Sequence, residues 1–298
     1  MYTGIINIYK PCGMTSHDVV YHMRKITEQK KIGHTGTLDP AAEGVLPVCL
    51  GSATRLCELL GEGTKQYRAV MLLGMSTDTQ DTTGTVLAKR EVQCSPDEVK
   101  EVISHYVGTI TQMPPMYSAV KHQGKKLYQF ARKGIEIERP SKEVTIEEIV
   151  VEEVALPEVV MLVTCSRGTY IRTLCNDIGE ELGCGACMKH LVRTRVKEFS
   201  LEDSITLEEA AGLHAQGTLA QRIIPPDYFF PDAPKAGVGT EDQIKLTNGN
   251  PFRRRQILLE EKDRGWPEFL RFYDESGSFV GLYKWDKRGL YRPEKMFI

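Results

Sequence analysis

Gly33-His34-Thr35-Gly36-Thr37-Leu38-Asp39-Pro40-Ala41-Ala42-Glu43-Gly44-Val45-Leu46 is the stretch on which the reading of this chain turns. Three glycines and a proline surround Asp39. Such a segment is a loop with little side-chain bulk, so a ligand can approach its backbone closely, and Pro40 restricts Asp39 to extended geometry. An aspartate before proline can also be no more than an Asx turn, and that would be the default reading of the dipeptide alone. The surrounding sequence decides between the two.

Outward from this loop, short apolar runs alternate with amphipathic helices. Ile5 to Tyr9 reads as a strand, and Thr15 or Ser16 caps a helix in which Val19, Met23 and Ile26 recur at helical spacing. Val45 to Leu50 is a second apolar run, after which Ser52 is expected to cap a helix through Leu60. Tyr67–Leu73 and Thr85–Ala88 read as strands around a polar stretch, Asp78 to Gly84. Ser95-Pro96-Asp97-Glu98 is a helix start, and Lys126 to Lys133 reads as a short helix. Val144–Val151 and Val159–Cys165 are two further strands, followed by a helix opened by Thr169 that ends at Gly183. The prolines at 225, 226, 231 and 234 mark a linker, beyond which short aromatic and β-branched runs suggest a small β-rich domain. The expected fold class is α+β.

Hydrophobic content of 41% and charged content of 26% are ordinary for a globular protein, and no window approaches the roughly 20 apolar residues that cross a bilayer. The first residues, Met1 to Lys10, lack the pattern of a secretion signal, so the expected location is the cytoplasm and the eight cysteines are expected to be reduced. A net charge of −2 argues mildly against a nucleic-acid partner. The distribution argues the other way. Residues 116–142 carry Lys121, Lys125, Lys126, Arg132, Lys133, Arg139 and Lys142 against Glu136 and Glu138, a local excess of +5, while an acidic block follows from Glu143 to Glu158. Either block alone would be read as a solvated face.

Five ordered motifs then carry a resemblance. They are Lys10-Pro11-Cys12-Gly13-Met14-Thr15-Ser16, the Gly33–Leu46 loop, Lys65-Gln66-Tyr67-Arg68-Ala69, Gln112-Met113-Pro114-Pro115-Met116-Tyr117-Ser118-Ala119-Val120-Lys121, and Cys165-Ser166-Arg167-Gly168-Thr169-Tyr170-Ile171-Arg172-Thr173-Leu174. In this order they resemble the TruB family of tRNA pseudouridine synthases over most of the chain. The resemblance implies a catalytic domain over residues 1–230 with a mixed, largely antiparallel sheet and flanking helices, and a PUA-like RNA-binding domain over 235–298. It implies isomerisation of a T-loop uridine, at position 55, in the T-arm stem-loop of tRNA. Asp39 would be the catalytic carboxylate, Tyr67 the aromatic residue beside the base and Arg172 the partner of the carboxylate. His34 would help hold the T loop and Leu191 would line the uracil pocket, while Lys10 is placed at the site without a chemical step. The basic segment, with Lys121, Lys125, Lys126, Arg132 and Lys133, would be an insertion that clamps RNA.

The chemistry suits these residue types. Converting uridine to pseudouridine is redox-neutral, so no cofactor is expected. A carboxylate can attack ring C6 or ribose C1′, or remove a sugar proton. A neighbouring guanidinium keeps that carboxylate ionised against burial, and the uridine must flip out of its stack to reach it. Cys184-Gly185-Ala186-Cys187 suggests zinc only weakly, because Cys165 and Cys175 complete no ribbon spacing, and no metal is expected. No membrane and no obligatory protein partner are expected. The competing readings are a related synthase acting on another RNA and a non-catalytic RNA-binding or tRNA-folding protein.

Overall fold

A computed structural model of the chain describes all residues except 119, 123, 261–264 and 287 and the side chains of 121 and 122. Strand β1 (Gly4–Lys10) leads into helix α1 (Ser16–Thr27), where Thr15 and Asp18 form a reciprocal capping box. Strands β2 (Ile32–His34) and β3 (Glu43–Leu50) flank the Asp39 loop. A 3-10 turn over Gly51–Leu56 and helix α2 (Cys57–Gly61) then lead to β4 (Lys65–Leu73). The small hairpin β5 (Met75–Thr77) and β6 (Val86–Lys89) precedes α3 (Pro96–Ser104) and β7 (Gly108–Gln112). Among the described residues the basic segment holds β8 (Lys121–His122), β9 (Lys125–Lys126) and α4 (Leu127–Ala131). Strands β10 (Lys142–Ala155) and β11 (Glu158–Cys165) follow, then α5 (Ile171–Glu181), β12 (Ala186–Val196), β13 (Phe199–Ser200) and α6 (Leu207–Ala215).

Nine of these strands form one sheet in the order β1-β3-β12-β4-β11-β10-β7, with β2 added to β3 and β13 to β12, while β5-β6 and β8-β9 are separate two-stranded hairpins. Its one parallel pair among the described residues is β3 with β12, so the sheet is mixed and largely antiparallel as expected. That exception positions the site. One edge of β3 is shared: β2 pairs with Val48–Leu50, whereas β12 meets it only at Glu43 and Gly44. Between the two contacts the chain leaves the sheet after His34, passes through Asp39 and returns as β3.

Burial follows the period of two. Ile6, Ile8, Leu46 and Val48 pack with Val19 and Met23 of α1, while Ile5, Val45 and Cys49 face the opposite side against Leu56, Leu60 and Phe199. Farther along, Ala69, Met71 and Met161 pack with Ile171, Leu174 and Ile178 of α5. After the proline cluster a second sheet follows, made of β14 (Lys235–Val238), α7 (Gln243–Thr247) beside it, β15 (Ile257–Leu259), β16 (Phe269–Tyr273), β17 (Phe279–Trp285) and β18 (Tyr291–Met296), with its own core of Phe252, Phe272, Tyr283 and Tyr291.

Three local expectations fail for identifiable reasons. Ser52 caps no helix; its hydroxyl donates to the Phe297 carbonyl and so ties the second sheet to the first. Thr169 does not open α5, because its hydroxyl donates to the Ser166 carbonyl and Tyr170 is the N-cap residue without a side-chain cap. The helix of the basic segment is shorter than its Gly-bounded sequence suggested.

Gly44 shows how tightly the parallel seam is built. Its φ is +105° and an added Cβ would lie 2.3 Å from the Arg193 carbonyl oxygen, whereas Gly108, at φ +108°, has open space around it. Gly108→Ala is therefore expected to cost about 1–2 kcal/mol through backbone strain alone, and Gly44→Ala about 4 kcal/mol or more. Denaturant unfolding of the two variants measures the difference, and equal costs would show that the seam tolerates separation.

Candidate active site

The Asp39 loop is pinned from behind by the Lys10–Ser16 segment. Ser16 Oγ accepts from Leu38 N at 2.8 Å and donates to Leu38 O at 3.2 Å, and Gly13 N donates to Pro40 O at 2.8 Å. Lys10 is fully buried; its Nζ donates to the carbonyls of Met14 (2.6 Å) and Pro11 (2.9 Å) and reaches that of Pro40 at 3.4 Å. Burial pulls its pKa down, and the charges of Cys12, Asp39 and Glu43 oppose that shift. Lys10 is thus a strut between two loops and lies outside the cavity lining.

In front of the loop is a cavity of about 270 Å³. Four residues singled out from sequence, Asp39, Tyr67, Arg172 and Leu191, line it together. Tyr67 and Leu191 stand on the adjacent strands β4 and β12, and both are nearly buried. Arg172, in the first turn of α5, is 5% exposed and gives Nη2 to Asp39 Oδ2 at 2.9 Å. The same Nη2 donates to the Tyr117 carbonyl (2.9 Å), and Nη1 donates to the Thr79 carbonyl (2.9 Å). Asp81 Oδ2 lies 3.6 Å from Nη1 and supplies a second carboxylate. The other oxygen of Asp81 is held by Thr79 Oγ1 (2.8 Å), Thr83 N (3.0 Å) and Thr83 Oγ1 (2.5 Å). The guanidinium is therefore fixed from behind and presents one edge to Asp39, whose side chain is 42% exposed toward the cavity. Tyr67 has its pKa raised, burial being the main cause, so the phenol keeps its proton at neutral pH.

Sequence reasoning assigned no role in the site to four lining or supporting groups. Lys65 and Arg193 each lie two residues along a strand from a recognised residue, Tyr67 and Leu191, so the period of two places them on the same face. Lys65 Nζ donates to the carbonyls of Gly61 (2.8 Å) and Gly63 (2.9 Å), and its pKa is lowered to about 8, first by burial and then by the charge of Arg193. Tyr170 adjoins Arg172's turn, and its backbone is clamped by both ends of the Gln112 amide, at 2.9 and 3.2 Å. Asp81 carried no local signal, since its partner lies on a distant helix.

Other expected residues are placed elsewhere. His34 lines a separate basic cleft with His17, Arg24, Lys30 and Lys31, and burial, followed by the Arg193 charge, lowers its pKa and leaves it neutral at pH 7. Lys125, Lys126, Arg132 and Lys133 are exposed on the basic segment, with Lys126 and Arg132 approaching the Tyr128 ring at 5.8 and 5.3 Å. The side chain of Lys121 lies outside the described residues. Cys184 and Cys187 are buried thiols, and among the described residues no group of three His, Cys, Asp or Glu is arranged to hold a metal. No helix among them is long and apolar enough to cross a membrane.

Comparison with known proteins agrees with this geometry. Residues 24–171 match the profile of the TruB family pseudouridylate synthase (N terminal domain), and residues 172–230 that of the tRNA pseudouridylate synthase B C-terminal domain. The chain is 50% identical over 255 residues to tRNA pseudouridine synthase B of Alkaliphilus oremlandii, covering 86% of this chain and 84% of that one. It is 48% identical over 305 residues to the protein of the same name from Lachnoclostridium phytofermentans, covering 99% of each. Among solved structures, a chain of a Cbf5-Nop10-Gar1 complex superposes with a TM-score of 0.70 at 29% identity, over 99% of this chain and 85% of that chain.

The two carboxylates on Arg172 are expected to differ in what they stabilise. Asp81 is 7% exposed, so Asp81→Asn leaves the buried guanidinium short of an anion and is expected to cost about 3 kcal/mol of unfolding free energy. Asp39 is far more exposed, and Asp39→Asn is expected to change stability by no more than about 1 kcal/mol. Chemical denaturation of both variants decides this, and equal losses would remove the distinction.

Proposed function

The chain belongs to the TruB family of pseudouridylate synthases, and from that premise we propose that it isomerises the uridine at position 55, in the T loop of tRNA. The observation that carries this reading is the 2.9 Å contact between Arg172 and Asp39 at the mouth of a cavity floored by Tyr67 and Leu191. A non-catalytic RNA-binding protein would have no use for a carboxylate oriented by a buried guanidinium at the mouth of a base-sized recess.

The uridine flips out of the T loop and enters the cavity, where its ring stacks against Tyr67 with Leu191 beneath. Arg172 pairs with the Asp39 carboxylate and fixes its direction, as its own guanidinium is held by Thr79, Tyr117 and Asp81. The carboxylate then attacks ribose C1′ or ring C6, or removes a sugar proton. The C1′–N1 bond breaks, the uracil turns within the recess, and C5 joins C1′ as Asp39 leaves its adduct or returns the sugar proton; C5 loses its proton and N1 gains one.

Residues 1–230 act as the catalytic domain, with the exposed cations of the basic segment, Lys125, Lys126, Arg132 and Lys133 together with Lys121, holding the phosphate backbone, and His34 packing against the T loop from the adjoining cleft. Residues 235–298 serve as a PUA-like RNA-binding domain. The enzyme works alone on unguided tRNA in the cytoplasm.

The test is conversion of an unmodified T-arm stem-loop by the purified protein and by Asp39→Asn. The wild type is expected to form pseudouridine. The variant is expected to lose about 10⁴-fold or more in single-turnover rate while binding the RNA within about threefold of wild type. No conversion by the wild type, or appreciable conversion by the variant, would sink the assignment.

A further inference from the structure

One charge in the cavity floor has no part in the steps above. Arg193 is 1% exposed, and among the described residues no carboxylate lies within ion-pair distance of it. Its Nε donates to the Val45 carbonyl at 2.7 Å and its Nη2 to the Gly36 carbonyl at 3.3 Å, so it fills the gap between β2 and β12 along the edge of β3. Both acceptors are neutral. Nη1 is shielded from solvent and makes no hydrogen bond of acceptable geometry. A cation taken out of water without an anion is costly to the fold, and neutral donors would suffice to hold two carbonyls.

Register shows where this charge is directed. Arg193 is the cross-strand partner of Tyr67 in the antiparallel β12–β4 pair, so the two side chains leave the sheet side by side on the cavity face. Burial raises the Tyr67 phenol, and the strongest opposing influence is the Arg193 charge, reinforced by the approach of the guanidinium to the phenol oxygen. Lysine would not serve equally well here. The neighbouring Lys65 is already drawn down to about 8, whereas a guanidinium stays protonated under the same burial.

We propose that Arg193 is a positioning residue for the isomerisation, directing its free Nη1 at the Tyr67 phenol oxygen so that the phenol proton faces the uracil ring and the unbalanced charge behind it stabilises the anionic ring. The proposal rests on the assignment of this cavity to uridine isomerisation. When the C1′–N1 bond breaks, its electron pair passes to the uracil ring, and C1′ is compensated by a bond to an Asp39 oxygen or by loss of the C2′ proton. When C5 joins C1′, the pair returns to the new C–C bond while the Asp39–C1′ bond gives its pair back to the carboxylate, or C2′ regains its proton; C5 then loses its proton and N1 gains one. Nothing is oxidised or reduced overall. Negative charge resides on the ring only between these two events, and this is when a cation behind Tyr67 lowers the barrier.

A double-mutant cycle separates this role from a structural one. Single-turnover rates at saturating T-arm RNA would be measured for Arg193→Lys, Tyr67→Phe and the double variant, with RNA affinity and thermal midpoint as checks on folding. Each single change is expected to slow the reaction by about a hundredfold, and the double variant is expected to be no slower than the slower single one. With 5-fluorouridine at the target position, whose ring is a more acidic leaving group, the deficit of Arg193→Lys, read as consumption of the parent nucleoside, is expected to shrink by about tenfold. Multiplicative losses in the cycle, or equal deficits on the two RNAs, would show that Arg193 only holds the strand gap together. Should Arg193→Lys fail to fold, Tyr67→Phe alone carries the test: greater sensitivity than wild type to the fluorine substitution supports the relay, and equal sensitivity overturns it. Failure of the wild type to convert uridine would instead sink the functional assignment.

Discussion

The guanidinium of Arg172 is shared among four oxygen acceptors, and the rest of the site is arranged by that sharing. Asp39 comes from the loop between β2 and β3, Thr79 and Asp81 from the β5–β6 hairpin, and Tyr117 from the root of the basic segment. Three stretches distant in sequence converge on one planar cation. A planar fork with several donors can satisfy such a set, whereas a point charge on a flexible stem cannot hold them in one plane. The burial of Arg172 makes this binding, since an unpaired guanidinium at 5% exposure would be heavily penalised.

The charge balance of the cavity follows. Arg172 faces two carboxylates, while among the described residues Arg193 and Lys65 on the sheet floor face backbone carbonyls, a phenol and the Cys165 thiol, and no carboxylate pairs with either. The carboxylates thus lie at the helix side of the cavity and positive charge accumulates at its floor. The same arrangement links the cavity to the basic segment, because the Tyr117 carbonyl that positions Arg172 lies at the root of the segment whose cations are exposed.

Much of this could be read from the chain, for reasons specific to each part. The strands at Ile5–Tyr9, Val45–Leu50 and Tyr67–Leu73 were legible because a short run rich in apolar residues is a local property, and α1 and α3 because Thr15-Asp18 and Ser95-Glu98 are complete capping boxes. Ser52 and Thr169 misled because a hydroxyl near a helix start is a cap only if no better acceptor is near, and each found one: Phe297 from the far end of the chain for Ser52, Ser166 for Thr169. The clustering of Asp39, Tyr67, Arg172 and Leu191 was expected from the motifs. Asp81 and Arg193 were not, since their importance comes from which strands become neighbours. Arg193 becomes central only once β12 is known to lie between β3 and β4.

The most direct test of the account is the single-turnover rate of Arg172→Lys on saturating T-arm RNA. Lysine keeps the positive charge but cannot donate to Asp39, Tyr117 and Thr79 in one plane. The rate is expected to fall by about a hundredfold or more, with RNA affinity within about threefold of wild type. A rate near that of the wild type would contradict the account, because a diffuse positive charge would then suffice and the fixed geometry of the guanidinium would be incidental.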